Sequence, residues 1–253
     1  MNNCYRKEIL YFDKGLFDSF IDITYVITLV NDPRNEKIIK EINKYKPTKK
    51  VVILYNSQFK NCEKNMCNKN IDITTIDLLH ANKYIFNNSS QYNNILILED
   101  DAEFSDEIFN VKHINNIKNF INNNKFNTYS LGSLKFISSL FGTHQRLFLK
   151  VGTHAMIYSK NFRKNFDECK HIDMDLLTGF PYNYNGWGYY KTIVGQVWEE
   201  TENSKNWPYN MGVLQPLYYY FTKNDCIKGI ENMNSIIKII TFLILILIIY
   251  WIY

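Results

Sequence analysis

The chain has 253 residues, a net charge of +4, 16% aromatic and 21% charged residues. The aromatic content argues against an intrinsically disordered chain, and the length suffices for a full core in one large α/β domain or two small ones. The lysines are scattered and form no basic stripe with interleaved aromatics, which excludes nucleic acid as the natural partner. In chain order, Ile23–Leu29 (ITYVITL) is a β-rich run and Asn31-Asp32-Pro33 is a turn and helix start. Ile38, Ile39, Ile42 and Tyr45 then mark one helical face, Pro47 ends that helix, and Val51–Tyr55 is a second strand. This β-α-β unit predicts a parallel pair. A polar loop with Cys62 and Cys67 leads to a helix around Asp77 to Phe86.

The next strand carries the strongest signal. Ile95-Leu96-Ile97-Leu98 reads as a strand buried on both faces, and Glu99-Asp100-Asp101 follows at its end. Unpaired carboxylates cannot enter the core, so they sit at the carboxyl end of the strand, where open α/β sheets bind ligands. Clustered hard oxygen donors suit Mg²⁺ or Mn²⁺ shared with substrate phosphates. The same pattern also describes an ordinary strand with a solvated acidic turn.

Beyond it, Asn110–Asn123 reads as helix and Thr128–Leu131 as a short strand. Gly152-Thr153-His154-Ala155-Met156-Ile157-Tyr158-Ser159 is a strand with small residues that permit close backbone approach, followed by a helical stretch from Lys160 to Cys169. His154 alone reads as a structural histidine. Gly142-Thr143-His144 is either a chance repeat or the other arm of a hairpin. In His171-Ile172-Asp173-Met174-Asp175, read as extended, the two aspartates point to the same side. An N-cap plus a solvated acid is the alternative. Phe180–Gly188, rich in Tyr, Asn and Gly, and Trp198-Glu199-Glu200 offer rings and amides for stacking on a sugar or base. Cys4, Cys62, Cys67, Cys169 and Cys226 are odd in number and lack C-x-x-C spacing, so they read as reduced thiols, with no disulfide framework and no zinc site.

The C-terminal stretch differs in kind. Ile239–Tyr253 (IITFLILILIIYWIY) has no charge, Gly or Pro, and with Ser235–Lys238 it reaches about the length that crosses a ~30 Å hydrocarbon core. Lys238 can snorkel to headgroups, and Tyr250, Trp251 and Tyr253 suit the far interface. The expectation is a soluble domain over residues 1–232 and a transmembrane anchor over 233–253. The N-terminus shows no secretory signal. Lys223, Lys228 and Lys238 on the domain side of the span, with the reduced cysteines, predict a cytoplasmic domain on a single C-terminal tail anchor in a host or virion membrane. The overlapping glycosylation acceptors in Asn87-Asn88-Ser89-Ser90 point the other way, but short sequons arise by chance in an Asn-rich chain.

Taken together, these segments resemble glycosyltransferase family 25, the lipopolysaccharide and collagen β-galactosyltransferases, in versions found in large DNA viruses and bacteria. Val26-Ile27-Thr28-Leu29 with Asp32-Pro33-Arg34 is similar to the family's first strand and Arg/Pro turn, with Thr28 where Asn is usual. Leu79-His80-Ala81-Asn82 falls at the place of a Ser-His pair and lacks the Ser. Leu98-Glu99-Asp100-Asp101, Gly152 through Ser159, and Asp173-Met174-Asp175 are similar to the later family segments. The resemblance spans roughly residues 23 to 220 and implies a GT-A fold, a Rossmann-type mixed sheet flanked by helices. It implies an inverting transfer of a hexose, galactose or glucose, from a UDP-sugar donor to a hydroxyl on a glycan, lipid or protein. Under it, Asp101 and Asp100 are candidate ligands of Mn²⁺ or Mg²⁺. Glu99, Asp100 and His154 are candidate donor-binding residues, and Asp175 or Asp173 is the candidate base. Two other classes stand beside this: a degenerate, membrane-tethered sugar-binding or interaction protein, and a different metal enzyme such as a nucleotidyltransferase or phosphoesterase. Of the arrays expected for the last, G-x-x-x-x-G-K is absent and H-x-D occurs once, at His171-Ile172-Asp173.

Overall fold

The computed structural model describes residues 4–67, 69–167, 169, 173–178, 183–197 and 214–252. In chain order its elements begin with β1 (Tyr5–Tyr11), β2 (Ile23–Leu29), α1 (Arg34–Tyr45), β3 (Lys50–Asn56) and α2 (Gln58–Asn61). They continue with β4 (Asn65–Met66), β5 (Lys69–Asn70), α3 (Thr74–Asn87), β6 (Asn94–Glu99), β7 (Ala102–Phe104) and α4 (Val111–Asn123). Then come β8 (Thr128–Ser130), β9 (Leu134–Ser138), β10 (His144–Val151), β11 (Ala155–Ser159), α5 (Lys160–Lys164) and α6 (Met174–Leu177). The last are β12 (Gly186–Tyr189), β13 (Val194–Gln196), α7 (Leu214–Thr222) and α8 (Cys226–Ile252).

Among the described residues one nine-stranded mixed sheet organises the domain, in the order β1-β3-β2-β6-β11-β8-β12-β10-β9. β2 pairs in parallel with β3 and with β6, so the expected β-α-β unit is present. β11 then runs antiparallel to β6, with Ala155 opposite Leu98. The aliphatic run in β6 is buried on both faces. Leu96 and Leu98 join a core with Ile38 and Ile42 of α1 and Ile117 and Ile121 of α4. Ile95 and Ile97 join the opposite core with Leu79, Ile85 and Phe86 of α3 and Met174 of α6. Period-3.6 faces on the helices and all-apolar strands between them thus build a three-layer α/β sandwich.

Three expectations need correction. The cysteines are mostly paired: Cys4 is bonded to Cys62 and Cys67 to Cys169, and only Cys226 stays reduced, buried at the start of α8. Spacing in sequence carries no information about this, because β1 and the segment after α5 reach their partners only through the sheet. The helix after β11 stops at Lys164, short of Cys169. Gly142-Thr143-His144 does begin a hairpin arm, but β10 pairs with β9 and β12, not with β11.

α8 is one continuous helix, and its first turns belong to the domain. Cys226, Gly229, Ile230, Met233 and Asn234 are buried, whereas Phe242 to Ile252 are exposed throughout. The domain boundary expected at residue 232 therefore falls inside a helix that crosses it without a break. Gly229 is required by the close approach of α7: a Cβ there would lie 2.4 Å from the Phe221 carbonyl oxygen. The exposed part is long and apolar enough to cross a membrane.

Candidate functional site

The chain passes from β2 to β3 on one side, then crosses through α3 to β6 on the other side of β2. A sheet whose strand order reverses leaves a crevice at the carboxyl ends of the two strands flanking the reversal. A cleft of about 190 Å³ lies there, far larger than a single-water void. Ile27, Thr28 and Leu29 line it from β2, and Glu99, Asp100 and Asp101 line it from the end of β6. Gly152, Thr153, Asp173 and Asp175 form another wall. Five of the six residues singled out from sequence therefore meet in one place.

Each carboxylate of the triplet has its own tether. Asp100 receives Arg34 NH1 at 3.0 Å and Thr28 Oγ1 at 3.1 Å. Arg34 is itself clamped by Asp32 through Nε at 3.0 Å and NH2 at 2.9 Å, which holds Asp32 below the usual carboxylate range. Asp101 accepts from Gln196 Nε2 at 2.9 Å, and its backbone carbonyl accepts from Val197 N at 2.8 Å, so the β13 end closes over it. Glu99 accepts from Thr153 Oγ1 at 2.8 Å. Burial, followed by the neighbouring charges of Asp101 and Asp175, raises Glu99 well above its ordinary value. Burial also pushes Asp100 up to about 7, against the opposing pull of Arg34.

Asp173 and Asp175 reach the cleft by a different geometry from the extended one expected. Asp173 sits just before α6 and accepts from the Asp175 amide at 2.7 Å, as an N-terminal cap does. Asp175, in the first turn, accepts from the Gly152 amide at 3.0 Å and lies 4.0 Å from Lys150 Nζ. Burial raises Asp175 to about 6, and Lys150 partly counters it. Gly152 has φ +99°, and a Cβ on it would press on the His154 ring at 3.0 Å, so glycine alone fits the turn that aims its amide at Asp175. His154 does not line the cleft. It is 1% exposed and donates from Nε2 to the Val194 carbonyl at 3.1 Å, and burial lowers it to about 4, so it is a neutral imidazole bracing β13. Of the candidate donor-binding residues it is the one set apart from the cleft walls, held by a backbone tie.

Arg34, Lys150 and Gln196 were not singled out from sequence. Arg34 had a visible signal in the Asp32-Pro33-Arg34 turn. Lys150 and Gln196 had none, because a lysine in a strand and a glutamine after one are ordinary until the fold brings them to the acids. Lys150 is fully buried, donates to the Gly152 carbonyl at 3.3 Å, and is lowered by that burial. His171, Ile172, Phe180–Tyr182 and Trp198-Glu199-Glu200 lie outside the described residues.

The donor set suits a divalent cation in a restricted sense. Among the described residues, no three His, Cys, Asp or Glu side chains converge as a closed metal cage. Mg²⁺-type ions are held instead by one or two carboxylates, with water and substrate phosphate completing the shell. Glu99, Asp100, Asp101, Asp173 and Asp175 line the cleft with Arg34 as the cation among them, and burial first, then the neighbouring like charges, raises Glu99, Asp100 and Asp175. Such a cluster takes up either protons or a cation. No protein-family model matches the chain, and no curated protein matches it.

Proposed function

We propose that the chain is a membrane-tethered, metal-dependent hexosyltransferase of the GT-A type. It moves galactose or glucose from a UDP-sugar to a hydroxyl on a glycan, lipid or protein, with inversion. The observation that carries this reading is the under-neutralised carboxylate cluster at the strand-order reversal, where a nucleoside diphosphate and its cation would need it. The resemblance of Leu98–Asp101 and Gly152–Ser159 to glycosyltransferase family 25 supplies the reaction class.

In this reading Asp101 is the first cation ligand, the role that its place at the end of the Leu98–Asp101 segment gives it, while Arg34 and Thr28 hold Asp100 and Thr153 holds Glu99. Mn²⁺ or Mg²⁺, when bound, would offset the charge that builds on the departing diphosphate. Arg34 fixes Asp100 against the first strand. Asp175 takes the proton of the acceptor hydroxyl as its oxygen bonds to the anomeric carbon and the bond to the diphosphate oxygen breaks. A carboxylate raised to about 6 is still mostly ionised at neutral pH and is a stronger base than an ordinary one. Asp173 positions Asp175 by capping α6.

The cytoplasmic placement of the domain now rests on the lysine bias around the span alone, since the disulfides remove the cysteine argument. The deciding test of function is a panel of UDP- and GDP-sugars incubated with the purified full chain and MnCl₂, scored for nucleoside diphosphate release. Release from a UDP-hexose that stops in EDTA supports the proposal. Binding of the nucleotide sugar without release, across acceptors, supports a degenerate sugar-binding protein. Neither binding nor release overturns both.

A further inference from the structure

α8 leaves the domain beside an edge strand. Gly195 lies against Cys226 and Ile227. Further along, Asn234 Oδ1 accepts from the Lys135 amide at 2.8 Å and its Nδ2 donates to the Ser133 carbonyl at 3.1 Å. Further still, Ile237 and Phe136 pack on the cluster of Leu134, Tyr218, Ile230 and Met233. Asn234 thus ties α8 to the start of β9, and residues from both elements share one apolar cluster. Past Ile237 the helix becomes the exposed apolar span, and past Phe136 the strand becomes the tip of the β9–β10 hairpin.

That tip is apolar where a soluble edge hairpin is usually guarded by charge. Ile137 is 52% exposed, Phe141 79% and Leu149 41%, and Leu149 pairs with Ile137 across the hairpin. The stretch from Phe136 to Phe141 reaches up to roughly 16 Å, the rise of about ten helical residues. At that full reach along α8 the tip would stand level with residues beyond Lys238. We propose that the β9–β10 hairpin dips into the lipid surface next to the anchor, so that the domain is held to the bilayer at two adjoining points. The partner is the bilayer, selected over a second copy of the chain by continuity with α8. The inference rests on the reading of α8 as a span.

The test uses the full chain in phosphatidylcholine vesicles, with one nitroxide at a time on Phe141→Cys, Leu149→Cys, Ile246→Cys in the span and Ser90→Cys on the exposed domain surface. The native cysteines are disulfide-bonded or buried and do not take the label. Collision with oxygen is compared with collision with an aqueous nickel complex. The expected result is a severalfold higher oxygen-to-nickel ratio at positions 141, 149 and 246 than at 90. If 246 is lipid-exposed while 141 and 149 match 90, the hairpin inference fails and the span stands. If 246 also matches 90, the span itself fails and takes the inference with it. Spin–spin broadening between copies at 141 would show a protein contact there and overturn the proposal.

Discussion

At the scale of single residues the cleft is a problem of unbalanced charge, and its predictions are about protons and cations. Asp101→Asn keeps shape and removes a ligand charge, so turnover should fall by about 10²-fold with the fold intact. Full activity of this variant, or of the wild type in EDTA, would remove the metal assignment. Asp175→Asn should lower turnover by about 10²-fold or more while nucleotide-sugar affinity is kept, whereas Asp173→Asn should be milder because its carboxylate caps a helix and does not receive the proton. Equal losses in the two variants would contradict the division of roles. The pH dependence has a definite sign. Glu99, Asp100 and Asp175 all titrate above their ordinary range in the folded protein, with Asp100 at about 7 and Asp175 at about 6. Folding therefore favours their protonated forms, and the stability they contribute is lost as pH rises from about 4 to 7. A cation must displace those protons, so Mn²⁺ should raise the melting temperature more at pH 7.5 than at pH 5. Melting curves with and without MnCl₂ at the two pH values measure this, and an equal or absent shift would show that the ion does not bind these groups.

At the scale of elements, the parts of the site lying within one strand and its following turn were legible in the sequence. Ile95–Leu98 announces burial on both faces, and its three acids then have one exit, the carboxyl end of the strand. The β2-α1-β3 unit was legible for the same reason: its apolar periods are local. The α6 geometry was not. Asp173 and Asp175 sit in a short stretch with no apolar period of its own, and α6 owes its one turn to the Asp173 cap and to Met174 entering the core. Nor was the β11-β8-β12-β10-β9 half of the sheet, where each neighbour is set by long-range pairing. Two element-level variants test how this wall is held. Gly152→Ala places a side chain at φ +99° against His154 and should cost about 1–3 kcal/mol while weakening the amide tie to Asp175. A variant as stable and active as wild type would show that the turn relaxes freely. Cys67→Ser with Cys169→Ser releases the segment that leads into α6 from the β4–β5 hairpin and should cost about 2–5 kcal/mol. If denaturant melts under oxidising conditions show no loss, the bond does not secure that wall.

For the whole molecule, the proposed membrane anchor raises the question of which side the domain occupies. Lys223, Lys228 and Lys238 favour a cytoplasmic domain, and the two disulfides are typical of an oxidising compartment. Asn87 and Asn88, at the end of α3, are both exposed and would carry a glycan if the domain were lumenal. The lysine bias predicts that protease added to sealed membranes from expressing cells digests the domain without detergent. A protected domain, glycosylated at either asparagine, would reverse the orientation and would agree with the disulfides instead.

α8 passes from its packed base at Asn234 into its exposed apolar part with no loop between, and under the proposed membrane span this lack of slack limits what the cleft can meet. A flexible tether would let an active site sample every height above its membrane, whereas a rigid one gives each acceptor an effective concentration that falls to near zero once the acceptor cannot span the gap. Val151 at the cleft and His144 near the hairpin tip are the two ends of β10, roughly 23 Å apart at strand rise. With the tip at the lipid surface, a hydroxyl carried on a short headgroup in the same leaflet stays below the cleft. Acceptors that are soluble, or that stand on an extended glycan or polypeptide stalk, come within reach. In vesicles containing glycolipids of graded headgroup length, transfer should therefore begin only above a threshold length. Equal transfer to the shortest member would mean that the domain tilts on its anchor.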